Sequence, residues 1–449
     1  MRKPLVAALA AATTLVLAAC SGTTGSDAGT DGGTDAGPDA TGAATDGGSG
    51  EAQDITLWLM GGDTPDALRD YLKTTYQEEN GGTLTIEEQA WGDALSKLTT
   101  ALPDAANTPD VVEIGNTWSP TFTSVGAFSD LTDMVDELGG DKLLPSFVEV
   151  GEVDGKNFAL PYYFGSRYNF YRKDLYAAAG LEPPTTLAEF SDNAKALTTD
   201  TVSGFYIGGE DWRNGISWVF AYGGELATKD GDEWTSTLSD PKTIEGLTAL
   251  QELYTTSSHA PVTESDSTPW VNINNNASTG QPEAATIMAP GWAHWSIGDL
   301  APDPKDATKE VATWNDDVFG TFVLPGVDGG VAPVFAGGSN IAISAASKNQ
   351  DGAKDLLRIV FSADYQKMLG ENGLGPANLD YVSSLGDDQF ATALATSAEH
   401  SKLTPAAPGW AAVEGSGLLE EFFGKVNGGG DIASLAAEYD AKITPLLGG

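Results

Sequence analysis

The sequence predicts an α/β protein built as two interleaved lobes. Three observations carry that reading. From Ile55 to Gly115 the pattern runs strand, helix, strand, helix, strand, which indicates a parallel sheet flanked by helices. Ser166–Tyr171 is a long extended segment that leaves this first region. Phe319–Leu324 is extended again and carries the chain back, so the first lobe is assembled from two separated pieces with the second lobe inserted between them. A length of 449 residues suits two or three domains at roughly 150 residues each. No internal repeat of 20–50 residues points to a solenoid.

The chain opens with Met1-Arg2-Lys3, then an apolar run from Pro4 to Ala19, then Cys20. Two cations ahead of a short Ala/Leu/Val stretch form a secretory signal pattern. The run is shorter than the roughly 20 residues that span a bilayer. Leu17-Ala18-Ala19-Cys20 resembles a bacterial lipobox, and Cys20 is the sole cysteine of the chain. Residues 1–19 are therefore expected as a lipoprotein signal peptide and Cys20 as a lipidated N-terminus. Residues 20–53 follow as a leash of Gly, Ala, Thr, Ser and Asp without aromatic residue, Lys or Arg. Such a segment cannot bury enough apolar surface to offset its ordering entropy. Its five Asp residues read as a solvated spacer, because nothing fixes them in a calcium-binding geometry.

The first lobe starts at residue 54. Ile55–Met60 is a strand by β-branched and aromatic content, ended by Gly61-Gly62. Asp66–Asn80 is a helix with Leu68, Tyr71, Leu72 and Tyr76 on one face. Leu84–Gln89 is a strand, Asp93–Leu102 a helix, and Val111–Ile114 a strand with a Pro109 entry and a Gly115 exit. In open sheets of this kind ligands sit beyond the carboxyl ends of the strands, here Met60–Asp63 and Gly115–Trp118. The first piece spans 54–165 and the inserted lobe 166–320. Within the insert, helices are expected at Leu175–Gly180, Thr186–Leu197 and Ile244–Tyr254, and strands at Val202–Gly208 and Ala285–Met288. Residues 321–449 return to the first lobe, with a strand at Ile341–Ser344 and a strongly periodic helix at Asp351–Phe361. They end in a C-terminal helical segment shared with the second lobe.

Charge and composition narrow the function. Lys and Arg number 23 against 64 Asp and Glu, a net charge of −41. A field of that sign repels phosphate backbones and anionic lipid surfaces, so no nucleic-acid partner is expected. One cysteine and three scattered histidines offer no metal cage, and no cofactor is expected. Phosphate-loop, zinc-protease and nucleophile-elbow patterns are all missing. A glycosidase-type carboxylate pair can always be imagined among 64 acids, but the sequence offers no way to choose two. Tryptophan stands out, with 11 residues. An indole stacks on the apolar C–H face of a pyranose, while acids, amides and Arg bind its hydroxyl rim. Most tryptophans pack in cores. Trp118, Trp292 and Trp410 follow turn signals or strand ends, where a ring faces a cleft rather than a core.

These residues also match a family pattern. Ile55–Trp58 with Met60-Gly61-Gly62-Asp63 resembles the first strand and loop of the family 1 extracellular solute-binding proteins of carbohydrate ABC importers. Asp110–Trp118, Gly155-Lys156 with Ala159-Leu160-Pro161, Phe170–Leu175, Met288–Trp292 and Gly337–Ile343 resemble further blocks of that family in the same order. The resemblance implies a two-lobed, type II periplasmic-binding-protein-like fold with a multi-segment hinge and a sugar site in the cleft. Carried over residue by residue, it implies Asp63, Asn116 and Trp118 on the first lobe, and Tyr163 and Arg167 at the crossover. It further implies Trp212 and Asn214 on the second lobe, Trp292, Gly338, Ser339 and Asn340 at the closing seam, and Trp410 in the C-terminal segment. Arg167 also reads as an exposed strand residue paired with an acid. Met60-Gly61-Gly62 departs from the more polar run of maltose binders, which implies a sugar other than maltose.

The function implied is capture of a mono- or oligosaccharide outside the cell and delivery to the permease of an ABC importer, without catalysis. The protein is expected as a monomer, tethered to the outer face of the membrane through Cys20. A lipid-anchored glycoside hydrolase, an adhesin, and a binding protein for a polyol, glycerol phosphate or peptide are the alternatives.

Overall fold

The computed structural model describes residues 52–265, 269–276, 279–306 and 308–448. Residues 48–449 form one compact unit. Cys20 and the segment read as a signal peptide lie outside the described residues.

In chain order the main elements are β1 (Ile55–Met60), α1 (Asp66–Glu79), β2 (Leu84–Gln89), α2 (Trp91–Ala101), β3 (Val111–Gly115), β4 (Ala159–Phe164) and β5 (Arg167–Arg172). Then come α3 (Trp212–Ala221), β6 (Thr286–Pro290), β7 (Phe319–Phe322), β8 (Gly338–Ile343), α4 (Gln350–Val360), α5 (Ala363–Glu371) and β9 (Gly375–Pro376). The chain ends with α6 (Gln389–Glu399), α7 (Trp410–Gly415), α8 (Leu418–Asn427) and α9 (Ile432–Leu447).

The first lobe is a six-stranded sheet in the order β9-β4-β8-β3-β1-β2. β1 pairs in parallel with β2, Ile55 opposite Leu84, and with β3, Leu57 opposite Val111. β8 runs antiparallel between β3 and β4. Every residue of β3 is buried, as a strand covered on both faces requires. β2, at the edge, carries Glu87 and Glu88, charges that discourage pairing with another chain. α1 buries Leu68, Leu72 and Tyr76, a spacing of four residues that lines one helix face.

The second lobe has a three-stranded antiparallel sheet, β6-β5-β7. Its main core joins α3 to the C-terminal helices, with Trp212, Trp218, Trp410, Phe422 and Tyr439 packed together. α4, α5 and β9 belong to the first lobe, whereas α6 packs on β5 and β7. The chain therefore crosses between lobes at Gly165–Ser166, between β7 and β8, and between β9 and α6. The first two crossings are bonded to each other, Gly165 N–H donating to Gly337 O at 2.8 Å.

Three expectations need correction. Val202–Gly208 is not a continuous strand but two isolated bridges, Ser203 to Ala284 and Tyr206 to Ile287. Its amides are divided among the sheet, the Thr198–Thr199 side chains and the helix end at Ser257-Ser258. Ser203 and Tyr206 donate to Glu283 and Thr286, while Phe205 and Ile207 donate to Ser257 O and Ser258 Oγ. The helix expected from Asp93 begins at Trp91, behind an extended N-cap at Ala90. The leash does not extend to Gln53. That residue is docked, its backbone N–H donating to Asn80, its carbonyl accepting from Tyr76 and its side chain accepting from Gly352 N–H.

Candidate ligand cleft

The carboxyl ends of β1, β3 and β4 meet at one edge of the large sheet, joined there by the start of β8. After β1 the chain turns at Gly61, whose φ of +57° suits glycine. A Cβ there would stand 2.8 Å from the Trp91 ring. The turn presents Asp63, exposed, whose Oδ2 accepts from Trp91 Nε1 at 2.9 Å and from Tyr163 Oη at 3.0 Å. Trp118, half-buried just beyond β3, meets Trp91 edge to face, centroids 5.7 Å apart. The result is an indole and a phenol bonded to one exposed carboxylate, with a second indole packed against the first.

Beneath them lies Glu113, wholly buried on β3. Its Oε2 accepts from Met60 N–H at 2.8 Å, and the hydroxyls of Tyr163 and Ser339 are its polar side-chain neighbours. Burial dominates and pushes its carboxyl up to about 7. The Tyr163 hydroxyl is held well above its ordinary range, first by burial and then by the charges of Glu113 and Asp63. Tyr163 therefore stays a neutral donor.

The crossings are framed by buried amides. Asn116 Nδ2 donates to Ala336 O at 3.1 Å, and Asn340 Nδ2 to Phe147 O at 2.8 Å. Gly338 has φ +133°, and a Cβ there would meet Tyr163 O at 2.5 Å. Arg167 is buried, with its guanidinium 4.9 Å from the Phe335 ring centre, so the reading of an exposed strand residue does not hold. Gly291 N–H donates to Ser166 O at 3.0 Å, which sets the turn bearing Trp292 beside the first crossing. Trp292 is 55 % exposed and meets Trp270 edge to face at 4.7 Å.

Three of the expected site residues lie inside the second lobe. Trp212 is buried, its Nε1 donating to Glu420 at 3.0 Å and the Arg213 guanidinium lying 4.5 Å over its ring. Asn214 is buried and ties α3 to β6, its Nδ2 donating to Asp211 and to Met288 O. Trp410 has no exposed surface and belongs to the main core, so its ring does not face a cleft in this form. Its position in the first turn of α7 directs it onto the packed C-terminal helices, and its Nε1 has no hydrogen-bond partner.

Asp63, Trp118, Tyr163 and Ser339 thus come together at the strand ends. Asn116, Arg167, Gly338 and Asn340 form the framework of the crossings, and Trp292 stands exposed beside it. Sequence reasoning missed Trp91 and Glu113. An acid inside an otherwise apolar, fully buried strand is a legible anomaly, because Glu is almost never buried without a partner. Trp91 gave no comparable signal, since its partner Asp63 is 28 residues away. Among the described residues, no group of three His, Cys, Asp or Glu could hold a metal ion. No helix among them is long and apolar enough to cross a membrane.

Two α/β lobes joined by several crossings, with polar and aromatic side chains gathered at the strand ends, define the class of two-lobed binding proteins. The profile of the bacterial extracellular solute-binding protein family matches residues 61–367. The chain is 33% identical over 420 residues to the diacetylchitobiose binding protein DasA of Streptomyces coelicolor, covering 92% of this chain and 91% of that one. Its fold resembles that of the sugar-binding protein MalE from Xanthomonas citri, with a TM-score of 0.73 at 20% identity over 88% of this chain and 97% of that one. It also resembles the cyclic alpha-maltosyl-1,6-maltose binding protein from Arthrobacter globiformis, with a TM-score of 0.70 at 18% identity over 89% of this chain and 100% of that one. The chain belongs to the bacterial extracellular solute-binding protein family.

Proposed function

We propose that this protein captures an oligosaccharide outside the cell and hands it to the permease of an ABC importer. One observation carries the reading: Trp91 and Tyr163 bond Asp63 at the strand ends and Trp118 packs against Trp91, where a pyranose needs both flat apolar area and a hydroxyl acceptor. Asp63 and Tyr163 bind hydroxyls in this scheme, and Trp118 and Trp292 stack. Asn116, Arg167, Gly338, Ser339 and Asn340 shape the seam. Trp212, Asn214 and Trp410 act from the second lobe, as the base against which the seam closes. Contacts made only when the lobes meet shift the open form to the closed one. The long alignment with DasA makes an N-acetylated disaccharide the first ligand to try.

The mechanism is binding without turnover. Calorimetry against mono- and oligosaccharides, led by diacetylchitobiose, is expected to show one-to-one binding and no new reducing ends. Turnover of a sugar, or no binding by any of them, would sink the reading. We further propose cleavage before Cys20 and lipidation of its thiol, with a monomer tethered to the outer face of the membrane. Cys20→Ser is expected to release the protein into the medium. Retention of that variant on cells would contradict the tether.

A further inference from the structure

Tyr163 stands between two carboxyl groups in opposite surroundings. Its hydroxyl donates to Asp63 Oδ2 at 3.0 Å, on the exposed loop after β1. It also neighbours the carboxyl of Glu113, wholly buried on β3. A phenol has one proton and gives it to one acceptor at a time. The buried Ser339 hydroxyl, 3.5 Å from Tyr163 Oη on the adjoining strand β8, is the other polar neighbour of that carboxyl. Glu113 also holds the loop directly, its Oε2 accepting from Met60 N–H at 2.8 Å. Its Oε1 is buried without a hydrogen-bond partner. A carboxyl kept at that cost inside an otherwise apolar strand calls for an explanation.

We propose that Glu113 is a positioning residue for the ligand: its proton keeps the Tyr163 hydroxyl turned to Asp63, so a sugar at the strand ends is held more tightly with Glu113 neutral than ionised. The proposal rests on the reading of Asp63 as a hydroxyl acceptor of the cleft. A neutral Glu113 carries an O–H that donates to the Ser339 or Tyr163 oxygen and leaves the phenol proton to Asp63. An ionised Glu113 only accepts, and a charge-assisted bond in a buried place draws the phenol proton away from Asp63. Asp63 then keeps only its bond from Trp91, and a ligand must restore the geometry that was lost. The groups around Glu113 are Asp63 on the loop after β1, Tyr162 and Tyr163 on β4, Tyr365 on α5, and Arg69 of α1, which acts on Tyr162 and Tyr365. Burial holds all three phenols above their ordinary range, so they stay neutral where Glu113 titrates, at about 7. Binding that favours the neutral carboxyl takes up a proton, by linkage.

The test is calorimetry of the full chain with diacetylchitobiose and with maltotetraose between pH 6 and 8.5, in pairs of buffers that differ in ionisation enthalpy. For whichever sugar binds, the wild-type affinity is expected to fall about fourfold across that range, the size of one hydrogen bond. Near pH 7 binding is expected to take up about 0.4 proton per site. Glu113→Gln cannot ionise, and is expected to bind with one affinity throughout and to take up no proton. Tyr163→Phe removes the hydroxyl that transmits the effect, and is expected to bind more weakly and to lose the pH dependence as well. It decides the matter if Glu113→Gln does not fold. A flat wild-type profile overturns the proposal, as does a fall with pH that persists in Glu113→Gln or in Tyr163→Phe. Failure of both sugars to bind the wild-type protein at any pH instead removes the sugar reading, and the role of Glu113 with it.

Discussion

The two rims of the cleft are built on opposite plans. On the first lobe, the polar groups around Asp63 are wired together: Trp91 and Tyr163 donate to Asp63, and Tyr163 reaches down toward a buried carboxyl on β3. On the second lobe, Trp292 and Trp295 stand bare on a short 3₁₀ turn. The wired rim has its donors and acceptors placed before a ligand arrives, so binding there costs little reorganisation. The bare rim carries unburied apolar area, which becomes favourable only when something covers it. Under the proposed function, the first lobe recognises the sugar and the second covers it.

The comparison can be broken at several points. The largest effect is expected in the main core of the second lobe. Trp410→Ala should lower unfolding stability by about 3–5 kcal/mol in urea denaturation, since it empties a fully buried indole site. Trp410→Phe should cost far less, because it keeps most of the area and removes a buried N–H that has no acceptor. If the alanine variant is as stable as wild type, that core does not depend on the indole.

Beneath the wired rim the expected effect is pH-dependent. Glu113, pushed up to about 7, stays protonated in the folded protein over a range where the unfolded chain, at about 4.3, is ionised. The folded state binds more protons there, so stability falls as pH rises from about 4.3 toward 7, by up to about 1.4 kcal/mol per pH unit. Glu113→Gln should flatten that slope between pH 5 and 7. An identical slope in the variant would show that the proton resides elsewhere.

Two smaller tests separate the rims directly. Trp292→Ala should weaken sugar affinity about tenfold while leaving stability within about 0.5 kcal/mol, because its ring is already largely in water. Tyr163→Phe should cost about 1 kcal/mol in stability and also reduce affinity, since its hydroxyl bonds Asp63 and binds sugar in the proposed function. If Trp292→Ala destabilises and Tyr163→Phe does not, the contrast between the rims is inverted.

Much of the first lobe was legible because its elements are regular. β1, α1, β2 and β3 each show one clear period, and the Gly and Pro residues that end them sit where the turns fall. Legibility failed where local pattern and tertiary pairing disagree. Val202–Gly208 has the composition of a strand, yet its amides are divided among three separate sets of partners. The candidate site divided along the same line. Asp63, Trp118 and Trp292 follow strand ends or turns, and those positions are exposed or half-buried as a strand-end rule suggests. Trp410 also follows a turn, but the three-helix packing around it is set by residues far along the chain and swallows the ring. Trp91 became visible only through a hydrogen bond across 28 residues.

The bond from Gly165 N–H to Gly337 O ties two backbones that run from one lobe to the other at the same place. Neither residue has a side chain to steer its neighbour. Turning one lobe about the line through this bond leaves its length unchanged, whereas sliding the lobes past each other stretches it. This bond therefore opposes sliding of the lobes more than it opposes turning, and the third crossing, between β9 and α6, constrains the lobes at a separate place.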